Sequence, residues 1–218
     1  MTRATSFYST TVGKKLVMAV TGIILFLFIV GHLLGNLQIF MGPKRINDYA
    51  AFLKSTGELL WIVRGVLLIA LILHIVAAVQ VTLANWKARP QKYVMKKSIE
   101  ADYASRTMVW TGPIIFLYLL FHLAMFTFLW TGPGYSHTDV YANVISAFQQ
   151  WPIALIYIVA MLCLGFHLYH GLWSMFQTLG VNNPKINYGR RVFSVVFSVL
   201  ITLGYISIPA SVLLGIVK

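Results

Sequence analysis

Five stretches of this 218-residue chain are each apolar for long enough to cross a bilayer, and nothing else in it constrains the fold as strongly. An α-helix rises 1.5 Å per residue, so about 20 apolar residues cover a hydrocarbon core about 30 Å thick. Residues 16–40, 59–86, 107–130, 152–179 and 192–217 qualify. Lipid offers no hydrogen bonds to the backbone, so a spanning segment of this kind has to be helical. The sequence therefore predicts an all-α integral membrane bundle of five transmembrane helices, one domain over residues 1–218, with no room for a separate soluble unit. The composition points the same way, at 59% hydrophobic and 10% charged, with a mean hydropathy of +0.78. Any chemistry in water falls to partner subunits.

The N-terminal "MTRATSFYSTTVGKK" has the charge of a signal-peptide n-region. The apolar run behind it is about 25 residues long and lacks a small-residue cleavage site, so it is expected to stay as the first span. Cys163, the one cysteine, lies in the middle of the fourth span and is expected to be packing.

A net charge of +12 does not imply nucleic acid here, because the cations sit between spans. Six lie between spans two and three: Lys87, Arg89, Lys92, Lys96, Lys97 and Arg106. Lys185, Arg190 and Arg191 fall between spans four and five, and Arg3, Lys14 and Lys15 precede the first. The connection from span three to span four has none. The positive-inside rule then puts the N-terminus in the cytoplasm and the C-terminus outside. Lys44, Arg45 and Lys54, between spans one and two, run mildly against it.

Of six histidines, five lie within spans: His32, His74, His122, His167 and His170. Ionisable side chains in lipid are costly and are functional candidates by default. His32 and His122 each precede the outer end of their span by 8 residues, about 12 Å of depth. His74 and His167 each follow an outer end by 15, about 22 Å. The four therefore sort into two pairs at matched levels, about 10 Å apart along the membrane normal.

Two imidazoles facing each other at one level suit a six-coordinate b-type haem. Small residues near the histidines would make room for a macrocycle: Gly35 near His32, Ala70, Ala77 and Ala78 around His74, and Gly171 near His167. The same spacing also serves plain helix packing. Tyr118 and Phe126 flank His122 instead. Zinc or copper would need three or four ligands converging at one point. A histidine proton relay would more naturally include buried carboxylates, which the spans almost lack. Arg64, about 8 Å deep, could face a propionate of the outer haem or snorkel to the surface. Lys15, Lys97 and Arg106 are the candidates for the inner propionates.

The segments "STTVGKKLVMAVTGIILFLFIVGHLLGNLQIF", "RINDYAAFL", "LLWIVRGVLLIALILH" and "GFHLYHGLW" resemble the cytochrome b558 membrane anchor of succinate dehydrogenase or fumarate reductase. The resemblance runs along nearly the whole chain. It implies a single-subunit, di-haem anchor in a bacterial cytoplasmic membrane, bound to a flavoprotein and an iron–sulfur protein. It also implies that His32 and His122 ligate a distal haem and His74 and His167 a proximal one, with electrons passing to a quinone, typically menaquinone. A homo-oligomer of the whole complex is a further partner to expect. An acidic residue near the outer start of the second span has a quinol role in some members; Glu58 is the nearest here, with Asp48 behind it, and a helix-start glutamate facing the helix dipole is the plain alternative.

His170, one turn from His167, is expected to support a propionate or line a quinone pocket, or to bond a neighbouring helix. The segment from Lys87 to Arg106 is the expected docking surface for the iron–sulfur subunit, or an element that only fixes topology and meets anionic lipid. The rival readings are another quinone-reactive cytochrome b, whose ligands would be concentrated on two helices, and a haem-free transporter.

Overall fold

The computed structural model describes residues 7–88, 103–130 and 134–218. Among them all regular structure is helical: α1 (Thr11–Asn36), α2 (Pro43–Ser55), α3 (Glu58–Lys87), α4 (Tyr103–Phe126), α5 (Val140–Phe148), α6 (Trp151–Thr178) and α7 (Pro184–Leu213). Five are long and apolar enough to span, namely α1 with the 3₁₀ turn that extends it to Met41, and α3, α4, α6 and α7.

Side chains at the helix starts explain several boundaries. Thr10 accepts the Gly13 amide at 3.0 Å and opens α1, while Asn183 accepts the Lys185 amide at 2.9 Å ahead of Pro184. Such caps satisfy amides that the helix leaves unpaired. The Asn183–Pro184 start carries α7 well before Val192, so Lys185, Arg190 and Arg191 lie near its start and not in a connecting loop. Hydropathy marks where lipid begins and does not mark where a helix begins. At the other extreme α4 ends at Phe126, short of Trp130.

Two helix pairs, α1 with α3 and α4 with α6, form the bundle, and α7 packs along α6. Gly165 brings α7 close: a Cβ there would stand 2.4 Å from the Thr202 hydroxyl. The pairs meet through α1 and α6, where Leu33, Ala160, Met161, Leu164, Leu168 and Ile201 form a buried cluster. Tyr205 of α7 adds a hydrogen bond to the Ile29 carbonyl at 2.7 Å.

One end of the bundle is capped by two short helices that the apolar runs did not foretell. The α5 helix buries Val144, Ile145, Ala147 and Phe148 against Ile39, Ile46, Met125 and Ile208. Asn47 of α2 ties this cap together: its amide donates to Asp139 and its oxygen accepts the Tyr141 amide, both at 3.0 Å. Lys54 donates to the His137 carbonyl, and the Tyr141 hydroxyl to that of Lys218 at 2.7 Å. This capped end is the one where α1 finishes and α3 begins.

Candidate haem-binding seams

The four histidines that matched in depth also match in space. His32 on α1 and His122 on α4 bring their ring centroids to 5.8 Å, at an interplanar angle of 87°. His74 on α3 and His167 on α6 stand 6.3 Å apart, at 54°. In both cases the helices themselves make no extended contact: α1 packs on α3 and α4 on α6. The imidazoles thus reach across two seams, α1–α4 toward the capped end and α3–α6 toward the far end.

Each seam holds one imidazole by a hydrogen bond. His74 Nδ1 lies 3.0 Å from the Met18 carbonyl oxygen and 3.2 Å from the Thr21 hydroxyl, both on α1. Gly22 makes room for that ring, since a Cβ there would lie 3.3 Å from Cε1. His122 Nδ1 lies 3.2 Å from the Tyr157 hydroxyl on α6. Their partners differ. His32 stacks on Phe28 at 5.2 Å, and Nδ1 of His167 is buried with no hydrogen-bond partner. A crossed pattern results: α1 and α6 each supply a histidine at one level and a hydrogen-bond partner for the opposing histidine at the other.

Two imidazole nitrogens, each about 2 Å from one metal, place their ring centroids about 6 Å apart. Both pairs have that spacing. An Nδ1 donating to oxygen leaves Nε2 with a lone pair, the arrangement a metal-binding imidazole needs. Among the described residues no three or more His, Cys, Asp or Glu converge as a metal site. The donor set is two imidazoles at each level, and it fits a bis-histidine haem at each seam.

The other expected residues separate. Gly171 is open, with nothing within 4 Å of an added Cβ. Gly35 is not: its space is taken by Tyr49 of α2, whose Cε1 would lie 2.6 Å from a Cβ. Ala70 and Ala77 are buried on the face α3 turns to α1, and Ala78 is half-buried. Tyr118 and Phe126 do flank His122, at 5.9 and 5.7 Å between centroids. Arg64 is exposed and lies over its own helix neighbour Trp61, 4.9 Å from the ring centroid. His170 is half-buried one turn beyond His167, and Cys163 is also half-buried. Lys15 and Arg106 are exposed; Lys97, with residues 89–102 of the basic segment, lies outside the described residues.

At the capped end a cavity of about 460 Å³ is lined by Gln38, Arg45, Asp48, Tyr49 and Phe52. Asp48 pairs with Lys44 at 2.5 Å, and Glu58 is exposed at the start of α3. Asp139, the N-cap of α5, has its carboxyl kept below its ordinary pKa by the Ala142 amide and then by Asn47.

Thr21, Gly22 and Tyr157 are the site residues that sequence reasoning missed. The "TG" at 21–22 was visible as part of a family-like block, but hydropathy gave it no role.

Residues 87–205, just over half of the chain, match the family described as succinate dehydrogenase/fumarate reductase transmembrane subunit. The chain belongs to this family. No curated protein and no solved structure matches it. The matched stretch includes His122 and His167, while His32 and His74 precede it. As a succinate dehydrogenase/fumarate reductase transmembrane subunit, the chain is the multi-pass membrane anchor of a complex whose other parts are a flavoprotein and an iron–sulfur protein.

Proposed function

We propose that the chain is a di-haem anchor of the cytochrome b558 type, passing electrons between the iron–sulfur subunit and a membrane quinone, menaquinone by the family resemblance. The observation that carries this is the pair of seams, each crossed by two facing histidines 5.8 or 6.3 Å apart on helices that are not packed together. His32 and His122 would hold the distal haem, His74 and His167 the proximal one. Bound there, the two haem b groups supply the one-electron steps that no side chain of this subunit offers. The chain's own part is to orient four imidazoles, keep water from the seams and fix the spacing between levels.

The N-terminus lies in the cytoplasm of a bacterial cell and the capped end faces outward. The basic segment from Lys87 to Arg106 receives the iron–sulfur subunit. The quinone reacts at the capped end: the cavity there is lined by Asp48 and Tyr49, the Tyr49 ring packs against Gly35, three residues from His32, and Glu58 is the acidic group proposed for proton exchange. The open flank of Gly171 adjoins the proximal haem, with His170 supporting that side, whereas Gly35 admits Tyr49. Arg64 faces lipid headgroups or a distal propionate.

A reduced-minus-oxidised spectrum of the purified complex tests the proposal, with haem b expected at two per anchor chain. Absence of a b-type α band would refute it. Glu58→Gln should lower quinone turnover with haem content unchanged; unaltered turnover would remove Glu58 from the quinone site.

A further inference from the structure

We propose that Tyr157 is the positioning residue of the α1–α4 seam, its hydroxyl oxygen accepting the Nδ1 proton of His122 and so fixing that ring's orientation and donor strength. The inference rests on the haem reading above and deepens it.

Tyr157 is buried on α6, with its hydroxyl 3.2 Å from His122 Nδ1 and 3.7 Å from the sulfur of Met125, itself fully buried. A phenol has one proton to give and lone pairs to accept with. With the proton turned to the thioether, a lone pair faces the imidazole. His122 then carries its proton on Nδ1 and presents Nε2 across the seam. The phenol ring has little freedom, caged by Tyr118 at 5.0 Å, Phe148 at 4.8 Å and Phe126 at 6.0 Å between centroids, each close to edge-on. Met125 and the aromatic cage therefore hold Tyr157, and Tyr157 holds His122.

The α3–α6 seam is built differently. There the nearest acceptor for His74 is the Met18 carbonyl, part of the α1 backbone, which no side-chain substitution removes. Ligand basicity at one seam thus hangs on a single hydroxyl, and at the other mainly on a helix backbone. An acceptor on the far ring nitrogen makes an imidazole a better donor and favours the oxidised metal. Taking it away should raise the reduction potential at that seam alone.

The test is a potentiometric titration of the intact complex carrying Tyr157→Phe, which keeps the ring in its cage and removes the oxygen. Both haem b groups should remain, one redox wave should move upward by the order of tenfold in its one-electron equilibrium, about 59 mV, and the other should stay. Met125→Leu should move the same wave upward by less, because the phenol proton loses its acceptor and competes for His122 Nδ1. Two unmoved waves in Tyr157→Phe, or two waves moved equally, would overturn the role. Should Tyr157→Phe fail to accumulate, an unmoved wave in Met125→Leu is enough to overturn it. A wild-type complex without a b-type band overturns the haem reading itself, a distinct result.

Discussion

Gly22 of α1 lies against the ring of His74 on α3, so close that a Cβ would meet Cε1 at 3.3 Å. The glycine is there for a neighbouring helix's side chain and not for its own backbone, which is helical. With the Met18 carbonyl 3.0 Å from Nδ1, it sets where that imidazole stands in the seam.

Substitution at Gly22 should therefore act on one haem. An alanine needs His74 to shift by a few tenths of an ångström and should leave both groups bound. A leucine drives the ring out of line, and haem b should fall from two per chain to one. Gly31→Ala, on the same helix with open space around it, should keep both. Pyridine haemochrome counts against protein mass decide the matter. Equal loss in both variants would mean that helix α1 tolerates no added bulk, whatever faces it.

Much of this site was legible in one dimension. Apolar runs gave the spans, and counting residues from their ends placed His32 with His122 and His74 with His167, which the fold brings to facing positions. Azimuth around each helix was not legible, and that is where the remainder lies. Gly35 shares a stripe with His32 in any helical projection, yet Tyr49 of a short helix occupies its side. Tyr157 lies ten residues from His167 and serves the other seam, because α6 passes both levels. Neither α2 nor α5 is long enough for hydropathy to mark, and the start of α7 is written in a cap, Asn183–Pro184, among charges.

His167 and His170 should part company on substitution. His167 faces His74 at 6.3 Å and has a buried Nδ1 without a hydrogen-bond partner, whereas His170 sits one turn further along. His167→Ala should remove one haem b, and His170→Ala should retain both. Optical spectra with haem counts read the outcome directly, and the reverse pattern would reassign the ligand.

The contact between Gly165 and Thr202 should set how closely α7 lies on α6. Gly165→Ala puts a methyl 2.4 Å from the Thr202 hydroxyl, which itself donates to the Ser198 carbonyl at 2.7 Å. Overpacking of this kind costs about 1–3 kcal/mol. In a Thr202→Ala background the same methyl finds room, so the two changes should couple by at least about 0.5 kcal/mol in a double-mutant cycle. Thermal unfolding in detergent measures it. Strict additivity would show that the helices simply move apart.

Asp139 should make the capped end sensitive to acid. Its Oδ1 accepts the Ala142 amide at 3.0 Å, capping α5, and the Asn47 amide at the same distance. Those donors favour the carboxylate, the Ala142 amide most, and hold the pKa below its ordinary 3.8. A carboxyl whose folded pKa is depressed contributes stability that is fully present above the unfolded value and fades as pH falls through the folded one. Asp139→Ala should thus cost about 1 kcal/mol at neutral pH, as a lost N-cap does. The gap between variant and wild type should narrow once the pH drops below 3.8. Unfolding midpoints of both proteins, compared at neutral pH and at successive steps below that value, give the measurement. A gap that stays constant into acid would mean the cap works through shape and not through charge.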